Sequence, residues 1–598
     1  MQSLPFEVYQ KQKDQHERML ATLRKKQSLL GWLRLGLILV TGVIAFYAFA
    51  FSLAAGWIAI IVGVAAFLSI VSVDVNNTKQ LNNEKTLLSI NNEELKMLNE
   101  DFQHRENGNE FAPAQHDYAN DLDLFGASSL YQFINRCYTE QGKRLFAENL
   151  LQPLAADEVL ARHEAIRELA PLFKWRQQLQ AFAAQVPVTI KTQLRTKYWI
   201  ENSQEQFSGE WWKWIILAYT TFTIATAVAT MAGYIPVSIF SFLFLCYFIT
   251  AGVFSRKAMP AYLHLNGIVG EISVIFQLMQ FVEKKEFNSP LLKSLKHSVM
   301  VDGSPAFVQI GKLKDILNRF DLRLNVFLFL ILNSFLLWDL RQMRALNSWR
   351  RKNQVQVSQW FELLAKFEVI NSLATLHFNK PQWVFPILEE RHFHFSGTGI
   401  GHPLIPAGQR IVSDFSLVGE GRIALVTGSN MAGKSTFLRS LGVNIVLAQI
   451  GSVVCARQMQ LSLVKLMSSM RIADNLAENT STFYAELKKI KSIIEAVGRK
   501  EPLFILLDEI LRGTNSLDRH TGSKALIRQL IRQHAVAVIA THDVELSKLQ
   551  ELYPGAIDNY HFDVQVEGEE LYFDYKLKQG VCTSLNASVL MKKIGIEI

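Results

Sequence analysis

Nine consecutive residues, Gly428-Ser429-Asn430-Met431-Ala432-Gly433-Lys434-Ser435-Thr436, place two glycines, a lysine and two hydroxyls at the G-x-x-x-x-G-K-[ST] spacing of a phosphate cradle. The glycines let the backbone turn successive N–H groups toward phosphate oxygens, and a following helix adds the positive end of its dipole. Lys434 brings a mobile charge for the β and γ phosphates of ATP or GTP, Ser435 a hydroxyl for Mg²⁺, and Thr436 a donor nearer the base. An apolar run ending at Thr427 precedes the cradle, and Phe437-Leu438-Arg439-Ser440-Leu441 follows with helical spacing, so the loop joins a strand to a helix. Downstream, Phe504-Ile505-Leu506-Leu507-Asp508-Glu509 is an apolar strand ending in two carboxylates. Alone they would read as surface acids. Behind a phosphate loop, Asp508 suits a water-mediated Mg²⁺ contact and Glu509 suits the base that polarises an attacking water. His542 follows the next apolar strand, Ala535-Val536-Ala537-Val538-Ile539, and so reaches the same sheet edge and the γ phosphate. Gln449, in Leu447-Ala448-Gln449-Ile450-Gly451-Ser452, is a candidate water or Mg²⁺ sensor, with a purely structural role as the alternative.

These motifs together resemble the MutS family. Residues 428–436 are similar to its phosphate loop, with Ser429 where proline and Ala432 where glycine is usual. Ser481-Thr482-Phe483-Tyr484-Ala485-Glu486-Leu487 resembles its signature segment, residues 508–518 its Walker B strand and following loop, and His542 its switch histidine. The likeness extends through 449–454 and 580–595. Upstream, Asp121-Leu122-Asp123-Leu124-Phe125, residues 129–136, Thr139, Gly142, Leu145 and Arg162-His163-Glu164-Ala165-Ile166 resemble the start of its helical core. The resemblance implies ATP and Mg²⁺ as cofactors and a homodimer of ABC-type heads, with Ser481 acting in trans on the partner's nucleotide. It also implies that the helical core transmits motion to a distal load, which in mismatch repair proteins is DNA. No Phe-x-Glu mismatch-reading element, connector domain or C-terminal helix-turn-helix extension is expected. Where the family offers an aromatic residue to adenine, Arg410 is expected to offer its guanidinium plane.

The elements before the cradle are of another kind. Residues 32–73 are almost continuously apolar, long enough for two helices of about 20 residues each, near 33–51 and 54–73. A second such pair runs from 214 to 254, broken at Gly233-Tyr234-Ile235-Pro236. A buried soluble hairpin is the competing reading. Basic residues gather on one side of the pairs, at Arg24, Lys25, Lys26, Lys213, Arg256 and Lys257, which sets the termini, core and ATPase in the cytoplasm of a bacterial-type inner membrane. Residues 326–338 are apolar but short and contain Asn333, which favours a core or interfacial helix. Leu81, Leu88 and Leu95, seven apart, suggest a short coiled coil or a plain solvated helix.

The expected fold is therefore an α/β P-loop ATPase of ABC/MutS type at the C-terminus, preceded by an all-α MutS-like core interrupted by transmembrane helical hairpins. The expected boundaries are a cytoplasmic amphipathic helix over 1–31, a first hairpin over 32–73 and a polar helical linker over 74–112. The helical core then begins over 113–210, the second hairpin interrupts it over 211–255, and core and lever resume over 256–394 ahead of the ATPase at 395–598. At 598 residues the chain exceeds one domain, and its 49% apolar content and positive mean hydropathy reflect the apolar pairs. A net charge of +8 suits anionic headgroups or nucleic acid and does not choose between them. Cys137, Cys246, Cys455 and Cys582 lack metal or disulfide spacing, as befits a reducing compartment. Two functions remain open: a membrane-tethered MutS-like ATPase coupled to DNA, or an ATP-driven membrane switch with a membrane or protein partner. A transporter is a weaker third.

Overall fold

A computed structural model describes residues 5–202, 207, 209–300, 303–429, 432–471, 482–567 and 570–581. Its N-terminus is one hairpin of two very long helices, Pro5–Phe51 and Leu53–Leu98, reversed at Ser52, whose Oγ accepts the Ala55 N–H at 3.1 Å. Both helices run without a break through residues 31 and 73. Those expected boundaries are thus changes of surroundings and not of backbone, because no proline or glycine pair interrupts the helical register there. The polar halves are zipped by Leu20, Leu23, Leu81 and Leu88, by His16 on Glu84 at 2.6 Å and by the Asn77 amide on the Leu23 carbonyl at 3.1 Å. Residues 74–98 are therefore one side of an antiparallel pair, and Leu81 is too deeply buried for a solvated helix. Arg34, at the rim of the apolar half, pairs with Asp74 at 3.1 Å.

The second hairpin is Trp211–Met231 and Val237–Asn266. Against it lies the short apolar helix Val326–Leu336, which turns by 78° at Leu337, a residue in the left-handed region, into Trp338–Asn353. Polar side chains hold this corner. Tyr219 donates to the Ser334 carbonyl at 2.9 Å, Thr223 to that of Phe335 at 2.8 Å, and Ser255 to the buried Asp339 at 2.5 Å. Four helices among the described residues are long and apolar enough to cross a membrane, and their most apolar windows are at most 17% buried.

The remaining helices pack around Gln356–Asn379, which is buried along most of its length. Their core is continuous with that of the C-terminal α/β region, since Leu122, Tyr131 and Phe367 share one cluster with Leu438, Val446 and Leu506. Charged contacts reinforce the junction. Asp121 accepts the Arg471 N–H at 2.9 Å and pairs with Lys489 at 2.6 Å, while Arg162 donates to the Ile450 carbonyl at 3.1 Å.

The C-terminal region holds two sheets. The six-stranded one runs Glu570–Gln579, Ile557–Glu567, Ile423–Thr427, Val536–Thr541, Leu503–Asp508, Lys465–Ser469, parallel except for the first strand. Its central strands are buried on both faces, which is why they read as unbroken apolar runs. The four-stranded sheet begins at Ile387–Glu389, ahead of the expected border at 395. The expected border at 395 itself falls within the strand His394–Ile400. Hydrogen bonding to strands on both sides and the stacking of Phe395 on Phe504 outweigh its glycines there.

Candidate nucleotide site

The strand Ile423–Thr427 delivers the chain to Gly428, and Gly433 caps the helix Lys434–Gln449. Both glycines have positive φ, 150° and 103°. A Cβ at 428 would stand 2.9 Å from the Phe562 carbonyl and one at 433 would stand 3.2 Å from the Tyr575 ring, so conformation and space both require glycine. Asn430 and Met431 lie outside the described residues, as does Ser481. Ala432 is buried, whereas Ser435 and Thr436 open to a cavity of about 660 Å³. Lys434 Nζ donates to the Gly428 and Ser429 carbonyls at 2.8 Å each, and the buried Ser429 hydroxyl lacks a partner among the described residues.

Sheet order brings the carboxylates to this loop. Thr427 pairs with Thr541 and Asp508 with Ala540, so Asp508, Glu509 and His542 all emerge at the strand ends beside the cradle. Ser435 donates to Asp508 Oδ2 at 2.5 Å, while Asp508 Oδ1 is buried without a hydrogen-bond partner among the described residues. Burial raises the pKa of Asp508 against the Ser435 hydroxyl and Arg512, which lower it. A hydroxyl and an orphaned, partly desolvated carboxylate oxygen form a hard-oxygen set fitted to a divalent cation. Glu509 takes Arg512 Nε at 3.0 Å on one oxygen and His542 Nδ1 at 3.3 Å on the other. Behind them Arg519 approaches His542 Nε2 at 3.4 Å and His520 meets Asp543 at 2.6 Å.

The loop after Asp508 is strained, with Glu509 at φ 51° and Leu511 at φ 61°. Glu486, on the helix Thr482–Gly498, holds it by accepting the Leu511 and Arg512 N–H groups at 2.5 and 3.2 Å. Burial raises the pKa of Glu486, and those two backbone donors oppose the rise.

Two sequence expectations are corrected. Gln449 ends the 16-residue helix that Lys434 begins, roughly 22 Å away at 1.5 Å per residue, and its amide donates to the Val464 carbonyl. It senses neither water nor metal at the cradle. Arg410 is turned inward onto the Ile405 and Pro403 carbonyls and over the Trp383 ring at 5.7 Å, so its guanidinium offers no face to a base. The residue after it, Ile411, lines the cavity with Ile405 and Gln409. Phe562 and Tyr575 close the other wall. Nothing local marked Tyr575, which arrives on a β-hairpin some 140 positions after the cradle; Arg512 was legible as the residue three beyond Glu509. A second cavity, about 620 Å³, adjoins the four-stranded sheet and contains none of these groups.

The arrangement is that of a triphosphate site at the C-terminal edge of a parallel sheet. Residues 424–592 match the family model described as MutS domain V. Similar proteins include the DNA mismatch repair protein MutS of Thermotoga sp. (strain RQ2), 30% identical over 251 residues, covering 41% of this chain and 31% of that protein. That of Oleidesulfovibrio alaskensis is 33% identical over 229 residues, 37% and 25% of the two chains. That of Chlorobium phaeovibrioides is 36% identical over 186, or 30% and 21%. The likeness to MutS proteins is confined to this C-terminal region, and the matches span less than a third of each of these relatives.

Proposed function

We propose that the chain is a membrane-anchored MutS-like ATPase whose heads pair on nucleotide and pass the resulting motion to its apolar hairpins. The observation that carries this is Asp508 Oδ1, without a hydrogen-bond partner among the described residues, beside Ser435 and the cavity lined by Lys434 and Glu509. Ser435 and Asp508 would hold Mg²⁺, which would supply charge neutralisation at the β and γ phosphates. Lys434 exchanges its two carbonyl contacts for phosphate oxygens. Glu509, oriented by His542, accepts a proton from the attacking water as the new P–O bond forms and the bond from the γ phosphorus to the ADP oxygen breaks, its electron pair leaving on ADP. The name carried by the relatives, and the family's use of ATP and Mg²⁺, support the same chemistry.

Membrane anchoring rests on the four helices. Trp32 is 70% exposed, Phe46 75% and Trp214 73%, on windows that would each cost heavily in water at about 25 cal/mol per Å². Aromatic residues at 211, 212 and 214 beside Lys213 suit a headgroup boundary. Both turns, at Ser52 and at 233–236, then face away from the cytoplasm. DNA, the load named by the relatives, is the second reading. We rank it below a membrane load because the hairpins that project from the helical core expose long apolar stretches.

Lys434→Ala should abolish nucleotide binding by the purified chain in lipid, and Glu509→Gln should bind ATP yet hydrolyse it about a hundredfold or more slowly. Equal turnover by Glu509→Gln and the parent would refute the assigned base. Membranes washed with high salt and alkaline carbonate should retain the chain, and release without detergent would refute the anchor. Duplex affinity falling steeply with salt would promote the second reading.

A further inference from the structure

Both legs of the first hairpin continue past the apolar segment and end in a buried polar knot. Tyr9, 1% exposed, donates from its hydroxyl to Asn379 Oδ1 at 2.8 Å. The Asn379 amide donates to Glu94 Oε2 at 2.7 Å, and Glu94 pairs with Arg136 at 2.5 Å. Asn379 is the last residue of the long central helix, so both legs are gripped where the chain leaves the core for the nucleotide region.

The second leg reaches further. Just beyond its C-cap, Glu100 sits in the left-handed region, φ 66°, and its Oε1 accepts the Ala407 N–H at 3.0 Å with Lys380 4.0 Å away. Ala407 belongs to segment 402–411, whose Ile405, Gln409 and Ile411 form one wall of the nucleotide cavity. The segment's other hydrogen bonds among the described residues are its own turns, Leu404 and Ile405 to His402 and Gln409 to Pro406, and the Arg410 clasp on Ile405 and Pro403. Beneath it runs a packed column: Phe102 meets Phe133 at 5.3 Å, Lys380 lies over Phe133 at 5.8 Å, Phe133 meets Trp383 at 6.5 Å, and Arg410 lies over Trp383. A wall of turns fastened from outside by one carboxylate takes its position from whatever carries that carboxylate.

We infer that Glu100 is a positioning residue of the nucleotide cavity, through which the seating of the first hairpin sets the affinity for ATP. This rests on the reading of the cavity as an ATP site. A displacement of the second leg moves Glu100, and with it the wall that meets the base, while the phosphate loop and Glu509 stay where the sheet holds them. The effect therefore falls on KM and not on kcat.

The test compares the full-length parent, Glu100→Ala and Glu100→Gln in nanodiscs of short-chain and long-chain phosphatidylglycerol–phosphatidylcholine, with Mg²⁺–ATP. Loss of one such hydrogen bond predicts a KM raised about fivefold in Glu100→Ala, with kcat changed less than twofold. Glu100→Gln, which keeps an acceptor oxygen, should recover most of that loss, a rescue that general loosening would not give. The parent's KM should differ between the two bilayers, and that of Glu100→Ala should not. An unaltered KM in Glu100→Ala, or a bilayer response as large as the parent's, overturns the link while leaving the ATP site standing. A parent that binds no ATP overturns the site itself, and the link with it.

Discussion

Burial raises the proton affinity of Asp508, while its Oδ1 has no hydrogen-bond partner among the described residues, so a divalent cation and a proton compete for one carboxylate. In the absence of metal the raised pKa favours the protonated folded form, and stability contributed by this group is lost as pH rises through that value. Metal reverses the preference, since it binds the ionised form. Thermal unfolding within the ordinary carboxylate range, near pH 4.5, and at pH 7.5, with chelator and with Mg²⁺–nucleotide, should therefore show a larger Mg²⁺-dependent rise in Tm at the higher pH, and Asp508→Asn should abolish the difference. A rise equal at both pH values would show that Asp508 is not the ligand. The residues of this chemistry were legible because each is fixed by local spacing: the cradle within nine positions, the carboxylates at a strand end, His542 after the next strand. Gln449 and Arg410 were misread because their roles depend on distance and direction that spacing does not encode. A 16-residue helix carries the first out of range, and a shift of one residue turns Ile411 instead of Arg410 into the cavity. Tyr575 was illegible, since only the pairing of a distant hairpin brings it to Gly433.

Among the elements, the helix Gln356–Asn379 is the axle on which core and head meet, and Glu368 is its buried fastening. The carboxylate accepts the Tyr138 N–H at 2.9 Å and the Thr139 N–H at 3.2 Å, together with the Thr139 hydroxyl. Burial raises its pKa to about 7 despite those donors, which lower it. With the folded value above the unfolded one, the folded chain holds a proton that the unfolded chain has lost between the ordinary carboxylate range and about 7. The contribution is thus present at low pH and lost as pH rises through about 7, and each tenfold difference in proton affinity between the two states is worth about 1.4 kcal/mol. Denaturant titrations from pH 5 to pH 8 should show the parent weakening across this window and Glu368→Gln staying flat; parallel curves would exclude Glu368 as the titrating group. Element types were readable from apolar periodicity, but the ends of the hairpin helices were not. A change from apolar to polar residues alters what surrounds a helix without breaking its hydrogen bonds, so Pro5–Phe51 and Leu53–Leu98 absorb three expected segments. The short helix Val326–Leu336 shows the converse: its apolar run ends at a left-handed Leu337, where the polar contacts of Asn333 and Asp339 turn the chain.

At the scale of the molecule, the proposed pairing of heads makes the nucleotide cavity half of a site. Ser435 and Thr436 face outward, and the MutS resemblance assigns the missing donor to the partner's Ser481, which lies outside the described residues here. On the proposed anchoring, the four long apolar helices among the described residues matter for association as well. Two chains confined to one bilayer meet in two dimensions with their heads already on the same side, which raises their effective concentration without any new contact. Turnover should accordingly depend on how many chains share a membrane patch. Nanodiscs loaded with two chains should hydrolyse ATP at least tenfold faster per chain than nanodiscs loaded with one, and addition of ATP to Glu509→Gln should lock the two-chain form long enough for chemical cross-linking between heads. Identical rates per chain in the two preparations would mean that each cavity is complete by itself, and the paired-head mechanism would have to be abandoned even with every residue of the cradle correctly assigned.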